Sequence, residues 1–156
     1  MDWLYDLITN RFLITGVSSW FVAQVTKTII HAIINKKIVW ERMVGDGGMP
    51  SGHSATVTSL AMISGLTFGF DSFQFAVATL LAIIVCHDAM GVRLETGKQA
   101  QIINEMTKAF EVLTKEDLPE VKLKEFVGHT PIQVIAGITI GILNGLVMHF
   151  WIFPLF

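Results

Sequence analysis

The segment Gly47-Gly48-Met49-Pro50-Ser51-Gly52-His53-Ser54 holds the densest chemistry in the chain. Two glycines allow a tight backbone, Pro50 stiffens it, and the apolar run that follows starts a helix. Ser51 or Ser54 can cap that helix, leaving backbone N–H groups aimed into the loop as an anion site, with His53 beside them. The same residues also fit a plain glycine turn with a capping serine and an interfacial histidine. Lys27 lies inside an apolar run, where a charge either faces a partner in the interior or snorkels to the interface. Asp88 and Arg93, in His87-Asp88-Ala89-Met90-Gly91-Val92-Arg93, are either a plain ion pair or part of a site. Gly128-His129-Thr130-Pro131 opens the last apolar run, with Pro131 suited to a first helical turn. His129 is there either as an interfacial histidine or as a reactive one.

The elements that must position these residues follow from composition. Of 156 residues, 52% are hydrophobic and only 15% charged, and mean hydropathy is +0.58. Such a chain is neither disordered nor an ordinary soluble domain, and it belongs in a membrane. A net charge of −2 gives no basic excess for nucleic acid, and the single cysteine, Cys86, excludes an internal disulfide framework. Asp, Glu, Lys and Arg are absent from Phe12–Thr26, Gly52–Phe70, Ser72–His87 and Phe126–Phe156. Spanning helices are expected at about 13–34, 53–70, 73–90 and 131–153, the first interrupted by Gln24 and Lys27. Only Asp71 and Ser72 part the second and third, so these form a tight helical hairpin. Met1–Arg11 places acidic residues before its arginine, the wrong order for a signal peptide.

The polar stretch Gly91–Gly128 carries 13 of the 24 charged side chains. Within it Ile102, Ile103, Met106, Ala109, Phe110 and Leu113 recur at helical spacing, which predicts an amphipathic helix on the membrane surface or capping the bundle. Leu118 to Lys124 reads as an exposed connector. Gly137, Gly141 and Gly145, like Gly65 and Gly69, recur every four residues and let helix backbones approach closely in lipid. That packing is either internal or a homodimer contact. The fold expected is an all-α integral membrane bundle, one domain over residues 1–156, with about four transmembrane helices and one amphipathic surface helix.

Four spans put the loops after the first and third spans on one membrane face. His53, Arg93 and His129 then converge there, with Lys27 about two turns below. Two cations, a helix N-terminus and two histidines match a phosphoryl-transfer site: cations and N–H groups hold phosphate oxygens, one histidine attacks phosphorus, and the other protonates the leaving oxygen. This arrangement requires no metal, and no cofactor is expected.

At these residues the chain resembles the divergent, short bacterial branch of the type-2 phosphatidic acid phosphatases, the superfamily that includes vanadium haloperoxidases. The resemblance runs from Ala23-Gln24-Val25-Thr26-Lys27 to the final span. Its strongest parts are residues 47–55, Asp-Ala-Met-Gly-Val-Arg at 88–93 with Gly97, Gln99 and Asn104, and Gly-His-Thr-Pro at 128–131. It implies that Lys27 and Arg93 bind phosphate, Ser51 and Gly52 cradle it, His53 is the general acid, and His129 is the nucleophile that forms a phosphohistidine. In typical members the arginine and this histidine are a few residues apart, whereas here 35 residues intervene. The acidic residue that usually follows the histidine four positions later is replaced by Gln133. Gln133 can orient the imidazole by holding its tautomer but cannot stabilise its charged form, so either activity is weak or Asp88 or Glu125 substitutes as the orienting group.

The resulting expectation is a multi-pass protein of the bacterial cytoplasmic membrane. It would hydrolyse a phosphomonoester or pyrophosphate on a lipid of the phosphatidate, phosphatidylglycerophosphate or polyprenyl pyrophosphate class. Its partners are then the phosphorylated lipid substrate and membrane lipids. Alternatives are a weak or inactive member that binds phospholipid head groups or scaffolds partners, and a metal site built from His53, His129 and Asp88. Lys36, Lys37, Lys98, Lys108, Lys115, Lys122 and Lys124 lie on the site side of the membrane, against Arg11 on the terminal side. Positive residues in short loops favour the cytoplasm, so the site is expected to face inward, although typical relatives face outward.

Overall fold

The computed structural model describes residues 2–37, 40–43, 45, 47–114, 123–125 and 127–155, and all of these are helix, turn or irregular chain. The helices are α1 (Asp2–Ile8), α2 (Arg11–Asn35), α3 (Gly52–Phe68), α4 (Phe73–Met90), α5 (Val92–Thr114) and α6 (Pro131–Val147). A 3-10 turn at Trp40–Met43 follows α2, and a π turn at Met148–Ile152 prolongs α6. Local chemistry sets the ends. Asn10 accepts from the N–H groups of Phe12 and Leu13 and starts α2, which stops where Lys36 turns left-handed at φ 51°. Ser72 accepts from Phe75 N–H at 3.2 Å and starts α4. Gly69, at φ +95°, makes the sharp turn between α3 and α4.

The bundle is small and polar within and bulky and apolar without. Thr15, Ser19, Ala23, Ser54, Ala55 and Ser59 are fully buried, whereas Phe21, Ile33, Ile34, Phe73, Leu80 and Ile135 are exposed. Water would not tolerate that surface; lipid does, and close backbone packing with interhelical hydrogen bonds then replaces a hydrophobic core. Ser19 Oγ donates to Ala55 O at 3.0 Å, and Asn144 Nδ2 donates to Thr15 O and Ser18 Oγ. Among the described residues, three helices are long and apolar enough to cross a membrane: Arg11–Asn35, the run Phe73–Thr114 formed by α4 with α5, and Pro131–Leu155. The remaining expected span, α3, has 17 residues, the lower limit for crossing, and lies at the centre against α2, α4 and α6.

The glycines show how α3 became central. A Cβ at Gly137 would strike the Ser51 carbonyl, one at Gly141 would lie 2.6 Å from Ala55 O, and one at Gly145 2.8 Å from Met62 Cβ. The stripe considered for a homodimer is therefore consumed within the chain, against α3. Gly65 and Gly69 do not form a second such stripe: Gly69 is in the turn, and Gly65 admits the ring of Phe70.

Beyond Gly91, α5 turns Gly97, Ala100 and Asn104 inward. Asn104 Nδ2 donates to Leu123 O and Glu125 Oε1, and Asn104 Oδ1 accepts from Leu123 N–H, so the returning chain is stitched along this helix. The apolar residues Ile102, Ile103, Met106, Phe110 and Leu113 face outward, as in a helix lying on lipid. Most of the expected connector, 118–122, together with Lys115, lies outside the described residues.

Candidate active site

Ser51, with no exposed surface, is the N-cap of α3, and its Oγ accepts from both Ser54 N–H (3.3 Å) and Ser54 Oγ (3.0 Å). The N–H groups of Gly52 and His53 are left without intrahelical acceptors and face the loop. Gly47 and Gly48, at φ +78° and +83°, take conformations that side-chain-bearing residues avoid, and so they bend the loop over that helix end.

His129 is only 3% exposed and reaches the same place from the other side of the bundle. Its N–H donates to Ala89 O at 2.9 Å, pinning it to the end of α4. Its Nδ1 lies 3.3 Å from Gln133 Oε1, which also accepts from Thr130 N–H, while Gln133 O accepts from Ser51 N–H at 3.0 Å. Gln133 thus ties the nucleophile candidate to the anion loop. The rings of His53 and His129 are 6.2 Å apart between centroids. Burial pushes the His129 pKa below that of an ordinary histidine. The charges of Lys27 and His53 push the same way, against hydrogen bonds to Gln133 and the Gly48 backbone. His129 is therefore neutral near pH 7, the state a nucleophile needs.

Lys27 is 4% exposed, and its Nζ donates to Gly45 O at 3.3 Å. It faces the interior and does not snorkel; its Cδ would lie 3.5 Å from a Cβ on Gly48. Arg93 Nε donates to Asp88 Oδ2 at 2.6 Å, with the two side chains 53% and 43% exposed. A cleft of about 160 Å³ joins this pair to His53, Ile84, Val85 and Ala89. The 35-residue gap between Arg93 and His129 closes in space, because a Cβ on Gly128 would lie 2.6 Å from the Arg93 carbonyl carbon. Lys27, Ser51, Gly52, His53, His129 and Gln133 thus meet at one loop, and Arg93 shares a cleft with His53.

One expectation and one alternative reading are corrected here. Asp88 engages Arg93 and Glu125 engages Asn104, so neither carboxylate orients His129, and the amide of Gln133 does. With Asp88 turned to Arg93, no group of three or more His, Cys, Asp or Glu among the described residues is arranged to hold a metal ion.

Residues 8–144 match the model of the divergent PAP2 family. The chain belongs to the divergent PAP2 family. A relative in Bacillus subtilis (strain 168), "Uncharacterized membrane protein YuiD", is 39% identical over 155 residues, covering 94% of this chain and 98% of that protein. No solved structure matches the chain significantly. As a member of the divergent PAP2 family, the protein is a membrane protein related to phosphatases.

Sequence reasoning passed over one residue at this site. Gln24 stood as an interruption of the first span, yet it is 4% exposed and its Cδ would lie 3.8 Å from a Cβ on Gly52. The available signal was a polar side chain inside an apolar run, three residues before Lys27 on the same helical face.

Proposed function

We propose that the protein is a membrane lipid phosphatase that hydrolyses a phosphomonoester or pyrophosphate on a lipid through a phosphohistidine on His129. The observation that carries this reading is the buried His129, whose pKa burial lowers, beside His53 and the capped N-terminus of α3. Lys27, Arg93, Ser51 and the Gly52 N–H hold the phosphoryl oxygens. With Nδ1–H directed to Gln133, the Nε2 lone pair attacks phosphorus, and the bond from phosphorus to the lipid oxygen breaks. His53 gives that oxygen its proton. Water then attacks the phosphohistidine, its proton passes to His53, the P–N bond breaks, and its electron pair returns to Nε2. The products are inorganic phosphate and a lipid carrying one phosphoryl group fewer. Asp88 serves this scheme by fixing Arg93.

The excess of lysine on the site side supports a cytoplasmic site, and hence a lipid phosphate made on the inner leaflet. Purified protein in liposomes, offered phosphatidate, phosphatidylglycerophosphate and polyprenyl pyrophosphate in turn, should release phosphate from one of them, and His129→Ala should release none. Binding of these lipids without release by the wild type would favour a head-group-binding protein. The amide at Gln133, in place of a carboxylate, is the feature that favours that second reading.

A further inference from the structure

The buried Gln24 amide is the strongest feature that the proposed mechanism leaves unused. Its Oε1 is fully buried and meets no donor among the described residues. An acceptor left in that state is costly, so such groups are commonly met by a ligand or water. Gln24 lies on α2 between Trp20 and Lys27, at i+4 and i+7 from the indole, so all three share one face. Gly52 is seated between the first two: a Cβ there would lie 3.3 Å from Trp20 Cδ1 and 3.8 Å from Gln24 Cδ. Gln24 therefore lies beside Gly52, the first residue of α3, whose backbone N–H belongs to the proposed anion site. Those N–H groups and Lys27 offer only hydrogens, whereas Gln24 Oε1 offers a lone pair. A fully ionised phosphoryl group has no hydrogen to give it, and a singly protonated one has one.

We infer that Gln24 is a positioning residue whose Oε1 accepts the P–OH hydrogen of the bound phosphoryl group, so that the site takes its substrate as the monoanion. This rests on the α3 N-terminus being the phosphate site. No bond changes in this step; the hydrogen bond selects a protonation state and fixes which phosphoryl oxygen faces α2. The charged and titratable groups around it are Lys27 and His31 on α2, His53 on α3, His129 before α6, and the ion pair of Asp88 at the end of α4 with Arg93 at the start of α5. All are common to wild type and variants, so the ratio of affinities isolates Gln24.

An alkylphosphonate, which is not hydrolysed, serves as the probe for the full chain in lipid nanodiscs. At about pH 5.5 it carries one P–OH, and at about pH 9 none. Replacing Gln24 by methionine keeps volume and removes the acceptor. Gln24→Met should weaken phosphonate binding about tenfold at the lower pH and little at the higher. Gln24→Glu keeps an acceptor oxygen while neutral and repels the anion once ionised, so its deficit should instead grow as pH rises. An equal loss at both pH values in Gln24→Met, or wild-type binding by Gln24→Glu throughout, would overturn the inference while leaving the phosphatase reading intact. If wild type binds no phosphonate at either pH, the inference and the phosphate site fail together.

Discussion

At the scale of the residue, the decisive groups are those whose chemistry depends on a neighbour from another helix. His129 is held neutral by burial, and its orientation comes from the amide of Gln133 one helical turn on. A nucleophile must be deprotonated, and a lowered pKa keeps it so into mildly acidic solution. The acid limb of kcat/KM should therefore fall below the ordinary histidine value of about 6.5. A rate profile measured across pH checks this, and an acid limb above that value would place His129 in a different environment. Gln133→Glu supplies a charge for the imidazolium and should preserve or raise the rate, while Gln133→Leu should lower it, by about tenfold or more. Equal rates in all three proteins would show that another group orients His129. The motif residues were legible because each has an unusual type for its place: histidines at helix starts and a lysine in an apolar run. The partner of Asp88 was open between two readings, and the orienting role of Gln133 was open among three residues, because side-chain direction is a tertiary property.

Among the elements, α3 does the positioning. Its first residue, Gly52, lies at the proposed phosphate site, and its length packs α2, α4 and α6 around small residues. The contact with α6 leaves no room for a side chain at Gly141, where a Cβ would lie 2.6 Å from Ala55 O and 2.8 Å from Thr58 Cβ. Gly141→Val should destabilise the protein by about 2 kcal/mol and lower its melting temperature in detergent, because helix backbones yield little to overpacking. The same substitution at Ala136, away from this contact, should have less effect. Helix boundaries were largely legible, since capping residues and charge gaps mark them: the third span falls at 73–90 as expected, and the first within two residues at either end. What packs against the glycine stripe was not legible, because spacing shows that a face is small and leaves its neighbour unnamed. The course of residues 123–125 along α5 was equally hidden; it depends on the hydrogen bonds of Asn104 across about twenty residues of sequence.

The whole molecule is a membrane bundle with its candidate site at one end, so the side that this end faces sets the leaflet from which substrate comes. The lysine excess predicts the cytoplasmic side. In a Cys86→Ala background, a membrane-impermeant thiol reagent on intact cells should label Ser72→Cys in the α3–α4 turn and spare Lys108→Cys on α5. Labelling of Lys108→Cys alone would reverse the orientation and assign the substrate to the outer leaflet. The inside-out composition made the membrane reading plain from the sequence, whereas α1 at the N-terminus was unexpected because its seven residues carry no periodic pattern long enough to read. Facing either way, the proposed chemistry rests on covalent transfer to one buried imidazole. The most direct measurement is to quench the protein with alkali during turnover of a lipid carrying a radiolabelled phosphoryl group, and to map the acid-labile label. Label on His129 in wild type, retained to some degree in His53→Ala and absent from His129→Ala, is the expected result. Phosphate release at the wild-type rate by His129→Ala would contradict it.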